Sequence, residues 1–150
     1  PDIQLVNINE IVEELLSFFN YALQLKSIKV NTSFHSENTI IRTDKNMITA
    51  ILRNLISNAI KYNNKGGKLY IQVELENNKY QIIIQDTGIG MSKTDLDNLF
   101  KYSIKQTLGT NNESSTGIGL LLTKEFIDKI GAAIDVESII DKGTKIKVSI

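Results

Sequence analysis

Apolar positions change period several times along the chain, and each change marks an element. IQLV (3–6) is a short apolar run that predicts a strand. From Asn7 the period lengthens: Ile8, Ile11, Val12, Leu15, Phe18, Phe19 and Ala22 recur at helical spacing. Asn7 with Glu10 has the form of a capping box, so a helix is expected over about 8–25. SIKVNTSF (27–34) alternates like a strand and TIIR (39–42) reads as another. Asp44 stands where it would cap a long helix over about 45–62. NNKGG (63–67) makes a turn, and KLYIQVELENNKYQIIIQD then predicts strands over about 68–75 and 79–86, joined as a hairpin at Asn77-Asn78. Ser92 and Asp95 begin a short helix to about 101. GIGLLLTKEFIDKI (117–130) gives a further helix, and GAAIDVES and GTKIKVSI give two last strands. The expected fold is α+β: a two-layer α/β sandwich whose mixed, mostly antiparallel sheet of about five strands is covered on one face by about three helices.

Two features escape this patterning. Residues 103–116 (SIKQTLGTNNESST) are polar and aperiodic, and a connection that long inside a compact domain is usually functional. Within the long helix, Asn54, Asn58 and Lys61 share one stripe, while Ile48, Leu52, Leu55, Ile56 and Ala59 form a core face. Asparagine is a middling helix former, so a merely solvated face would more often carry Glu and Lys. The stripe suits a partner that takes amide oxygens and one positive charge.

Composition narrows the field without naming a function. One domain is expected over 150 residues, and 41% hydrophobic with 23% charged content is ordinary for a soluble globular domain. Seventeen basic residues balance seventeen acidic ones, so charge argues for neither nucleic acid nor an anionic membrane. With no cysteine there are no disulfides and no thiolate metal sites, which suits a reducing compartment. No apolar run approaches the roughly 20 residues of a membrane-spanning helix, and no signal peptide is visible.

Two glycine stretches carry the remaining chemistry: DTGIGM (86–91) after a strand, and STGIGL (115–120) opening a helix. Glycine lets backbone N–H groups approach a ligand, and a helix N-terminus favours phosphate. Leu122 stands where a dinucleotide fingerprint would need its third glycine, and no P-loop sequence is present. The order of the segments says more than any one of them. NLISNAIKY, DTGIGM, TGIGL and the late Gly143-Thr144 follow the order and approximate spacing of the ATP-binding catalytic domain of sensor histidine kinases. The chain resembles that family, part of the superfamily shared with gyrase and the MutL repair proteins, over essentially its full length.

The resemblance implies a role for each matching residue. Asn58 would be the magnesium ligand, since Mg²⁺ takes hard oxygen donors and the phosphates bring the charge. Asn54 would support the same ion or a phosphate, Lys61 would meet phosphate, and Tyr62 would lie against adenine. Asp86 would accept a hydrogen bond from the adenine amine and repel the carbonyl that guanine presents there. Gly88, Ile89 and Gly90 would turn closely around the base, and Thr144 would be a further nucleotide-binding position. Thr116, Gly117, Ile118, Gly119 and Leu120 would form the second glycine box, under an ATP lid at about 101–116 whose basic residue would be Lys105. Asn58, Lys61 and Lys105 would thus be the catalytic positions, with ATP and Mg²⁺ as cofactors. The sequence departs from the family at Ser115, normally glycine, and at Ser103, where Phe100 lacks its aromatic mate unless Tyr102 serves. His35, the only histidine, lies outside the family's phosphoacceptor context and is expected on the surface.

Superfamily ATPases place a glutamate one turn before the magnesium asparagine as a general base; Asn54, in that position, cannot take a proton. The balance favours phosphorylation of a histidine over hydrolysis. A nucleotide-binding module without transfer activity, or a superfamily ATPase, are the alternatives. The resemblance further implies a cytoplasmic domain, monomeric by itself, within a homodimeric parent compatible with a membrane anchor. Its partners would be a histidine-bearing dimerisation domain outside this chain and a response-regulator receiver domain, with no nucleic acid.

Overall fold

A computed structural model describes residues 1–100 and 119–150. Among the described residues there are seven strands and five helices. The main sheet has the order β2 (Lys29–Ser33), β4 (Lys68–Glu76), β5 (Lys79–Asp86), β7 (Gly143–Ser149), β6 (Ala133–Ile139). β2 runs parallel to β4, and every other pairing in it is antiparallel. β1 (Ile3–Asn7) and β3 (Ile40–Asp44) pair with each other in a separate two-stranded sheet. The α+β class and the mixed five-stranded sheet are as the patterning predicts.

The sequence predicts four helical stretches, and the described residues form five helices. The first apolar stripe is divided into α1 (Ile8–Phe18) and α2 (Asn20–Leu25), with Phe19 between them at φ −90° and ψ 7°. That break re-aims the stripe. Phe19 and Leu23 pack inward, while Phe18, a member of the same apolar stripe, is 71% exposed. α4 (Lys93–Asp97) is shorter than expected, and α5 runs Gly119–Lys129. Past the end of α2, Ser27 takes φ +53°, a left-handed conformation that costs a residue with a Cβ roughly 1–2 kcal/mol. Ser27→Gly is therefore expected to raise stability by about 1 kcal/mol, read as a higher denaturant midpoint at unchanged m.

α3 (Lys45–Lys61) is the central helix. Asp44 caps it, its Oδ1 accepting from Met47 N–H at 3.0 Å. That bond holds the Asp44 carboxyl below its usual pKa. Ile48, Ile51, Leu52, Leu55, Ile56, Ala59 and Ile60 are buried. They meet Leu69, Ile71 and Val73 of β4, Ile82 and Ile84 of β5, and Ile146 and Val148 of β7 in one core. The β4–β5 hairpin turns at Asn77 and Asn78, both left-handed (φ +53° and +61°), as a two-residue turn that matches strand twist requires. Among the described residues no helix is long and apolar enough to cross a membrane.

Candidate functional site

The loop after β5 packs on the cap of α3, the start of β7 packs behind that loop, and the first turn of α5 meets α3 at Asn54. β5 ends on Asp86, whose side chain is only 8% exposed. Gly88 N–H donates to its Oδ1 at 2.8 Å, and Thr144 N–H, from β7, donates to the same carboxylate. Burial nevertheless outweighs both bonds and pushes the Asp86 carboxyl up to about 6. An ionised carboxylate has about four acceptor sites, so Asp86 keeps capacity for another donor in a place where water is scarce.

The loop is held against α3 at van der Waals limits. A Cβ on Gly88 would lie 2.1 Å from the Tyr62 carbonyl oxygen, so only glycine permits this approach. Ile89 N–H donates to that same carbonyl at 3.0 Å, and the Ile89 carbonyl accepts from Asp141 N–H at 2.8 Å. Gly90, at φ +66°, passes the Ile139 carbonyl with no room for a side chain. The loop is thereby fastened to the cap of α3 on one side and to the β6–β7 turn on the other.

The polar stripe of α3 borders this region, and its three members are half-buried rather than solvated. Asn54 has a definite engagement. Its Nδ2 donates to the Gly119 carbonyl at 2.5 Å and to Thr123 Oγ1 at 2.9 Å, tying α3 to the first turn of α5. A Cβ on Gly119 would come within 3.0 Å of that amide. Lys61 Nζ lies 5.8 Å from the centre of the Tyr62 ring, within cation–π range. Two grooves of about 150 and 230 Å³ flank α3 on its α5 and α1 sides, and neither reaches Asp86.

Asn54, Asn58, Lys61 and Tyr62 are therefore in sequence on α3 and its cap. Asp86, Gly88, Ile89 and Gly90 form the adjoining loop, Thr144 lies behind Asp86, and Gly119 and Leu120 open α5. Lys105, Thr116, Gly117, Ile118, Ser103, Ser115 and the expected lid at 101–116 lie outside the described residues. His35 is exposed and packs edge-on to Tyr80, at the other end of β5 from Asp86, roughly 20 Å away by strand rise.

Three supporting residues carry no motif. Asn63, fully buried, donates to the Lys68 carbonyl at 3.0 Å and accepts from Asn64 N–H at 2.9 Å. Ser138 Oγ accepts from Met91 N–H and lies 2.8 Å from Thr144 Oγ1, joining the glycine loop to β7. Lys26 is a buried lysine reaching the end of α3. Asn63 was legible only as a turn residue, and nothing in the local pattern singles out Ser138 or Lys26.

The fold is that of histidine-kinase catalytic domains, and the family match agrees. Residues 43–150 match the family described as histidine kinase-, DNA gyrase B-, and HSP90-like ATPase, and the chain belongs to that family. It is 31% identical over 143 residues to the sensor protein kinase GraS of Staphylococcus aureus (strain MRSA252), a match covering 95% of this chain and 41% of GraS. The chain thus spans about two fifths of the length of the curated relatives it matches. Its fold superposes on the catalytic domain of histidine kinase ThkA with TM-score 0.85 at 22% identity, covering 100% of this chain and 95% of that one. Full-length ShkA in complex with AMPPNP gives TM-score 0.82 at 18% identity, covering 99% of this chain and 30% of ShkA. ThkA in complex with the response regulator protein TrrA gives 0.79 at 20%, covering 99% and 41%.

Proposed function

We propose that this domain binds Mg–ATP and supplies the γ-phosphoryl group to a histidine on a separate helical dimerisation domain of the same parent protein. The observation that carries the reading is the buried Asp86 carboxylate, with acceptor capacity left over, at the foot of a glycine loop packed on the cap of α3. A purine amine is the donor such a carboxylate lacks, and Tyr62 offers a ring beside the loop. Asn58 and Lys61 lie on the same helix, Asn58 one turn before the Tyr62 cap, placed for phosphates.

Among the described residues no three His, Cys, Asp or Glu side chains group to hold a metal. A site with one neutral amide oxygen suits magnesium delivered with the nucleotide, since the phosphates carry the negative charge. Asn58 is the residue assigned to hold that ion, which would neutralise the phosphates. Asn58→Ala is expected to reduce the magnesium-dependent gain in ATP affinity roughly tenfold. Calorimetric titrations with and without Mg²⁺ check this, and an unchanged gain would place the ion on other residues.

Chain residues act here chiefly by positioning. Asp86 and the glycine loop orient the base, and Lys61 meets phosphate as a point charge. The acceptor imidazole attacks the γ-phosphorus, the bond to the β-phosphate oxygen breaks, and ADP leaves. A neutral histidine needs no general base, consistent with an asparagine rather than a carboxylate at position 54. A response regulator, the kind of protein that ThkA is seen in complex with, would then receive the phosphoryl group on its receiver domain, on the cytoplasmic side where ATP is available. Mixing this domain with the parent's helical acceptor domain and γ-labelled ATP tests the proposal. Label on histidine supports it. ATP binding with no label, or steady phosphate release without the acceptor, would replace it with a binding module or an ATPase.

A further inference from the structure

Lys26 is 3% exposed, yet it carries an ammonium group at the heart of the fold. Its Nζ donates to the carbonyl oxygens of Ile60 at 2.9 Å, Lys61 at 2.7 Å and Asn63 at 3.4 Å. Ile60 and Lys61 are the last residues of α3, where the helix dipole is negative; the Ile60 carbonyl also accepts from Asn63 N–H at 3.2 Å. Lysine reaching across from another segment supplies both the donors and the charge. Backbone bonds reinforce the grip: Gly66 N–H donates to the Lys26 carbonyl at 2.7 Å, and Lys29 N–H to the Gly67 carbonyl at 2.9 Å.

The residue enclosed by these three held carbonyls is Tyr62. Its own carbonyl accepts from Ile89 N–H and meets Gly88 where no Cβ would fit. The path from the Lys26 ammonium to the glycine loop therefore runs through one peptide segment, 60–63, with a hydrogen bond or a close contact at each end.

We infer that Lys26 is a positioning residue for the nucleotide site: its ammonium fixes the cap of α3, and through Tyr62 the loop from Asp86 to Gly90 that receives the base. The inference rests on the assignment of Asp86 and Tyr62 to the base. A lysine serving stability alone would make a different prediction. Its loss would lower the unfolding midpoint but leave the folded fraction's affinity intact, as any core truncation elsewhere does.

Lys26→Met removes the charge and donors at similar volume, Lys26→Arg keeps them, and Leu15→Ala is a core truncation in α1 away from the site. ADP binding is measured by calorimetry at a temperature where circular dichroism shows each variant folded, and amide hydrogen exchange is followed at Ile89. Lys26→Met is expected to bind ADP about tenfold more weakly and to exchange the Ile89 amide at least about tenfold faster. Lys26→Arg recovers most of both, and Leu15→Ala stays within about twofold of wild type in affinity. If Lys26→Met does not fold, Lys26→Gln, with two donors and no charge, is expected to show the same two changes at smaller size. ADP affinity within about twofold of wild type in a folded Lys26→Met or Lys26→Gln overturns the inference, as does an equal loss in Leu15→Ala. Should wild type itself fail to bind ADP, the base assignment falls; Ile89 exchange then still decides whether Lys26 holds the loop.

Discussion

Asp86→Asn is expected to weaken ATP binding roughly tenfold to a hundredfold, to narrow the preference over GTP, and to make the nucleotide-free domain more stable. The affinity loss follows from oxygen count. Both carboxylate oxygens accept, so Asp86 can hold the Gly88 and Thr144 N–H groups and still take a base amine. Asparagine has one oxygen, and either the loop or the base goes without. Selectivity narrows because an amide, unlike a carboxylate, can also donate to the guanine carbonyl. The stability gain follows from burial. The folded carboxyl titrates near 6 instead of 3.8, so the folded state binds the proton more tightly than the unfolded chain. Ionised Asp86 therefore opposes folding by up to about 3 kcal/mol at neutral pH, and that penalty disappears as pH falls from above 6 to below 3.8. The variant's advantage is thus greatest at pH 7 and above and fades towards pH 4. Denaturant unfolding across that range, with calorimetry for ATP and GTP, checks both halves. Equal affinity for both nucleotides in wild type and variant would remove Asp86 from the base.

Gly143→Ala is expected to cost about 3 kcal/mol or more and to take nucleotide affinity with it. Gly143 sits at φ +120°, a region essentially reserved for glycine, and its Cβ would lie 2.0 Å from the Asp86 carbonyl oxygen. The Cβ is fixed to its own backbone and meets backbone atoms of Asp86 and Thr87, so relief requires the start of β7 to separate from the end of β5. That separation pulls the Thr144 N–H away from the Asp86 carboxylate. Gly131 provides the comparison: it is also left-handed, at φ +71°, but a Cβ there meets nothing within 4 Å. Gly131→Ala should lose only the conformational part, about 1 kcal/mol, with ADP affinity unchanged. Thermal unfolding separates the two, at roughly 10 °C against roughly 3 °C for a domain of this size. Similar losses at both positions would show that conformation, not the contact with β5, sets the effect.

By itself the sequence determined the elements and which segments to look for around the candidate site. Period-2 and period-3.6 patterns are local, so the strands, the cap at Asp44 and the core face of α3 were all legible before any packing was known. The resemblance carried by the asparagine stripe and the glycine stretches pointed to Asp86, Gly88 and Tyr62 together, and the structure makes them neighbours. What only the tertiary structure decided are relations across sequence distance. A helical period cannot show that the first stripe breaks at Phe19 and turns Phe18 outward, since propensity there allows either course. Pattern alone does not say that Asn54 reaches Gly119 and Thr123, 65 and 69 residues away. Lys26 is the clearest case. A lysine in a polar stretch reads as solvated, and only when the end of α3 packs over it do the last carbonyls of a negative helix terminus make burying its charge favourable.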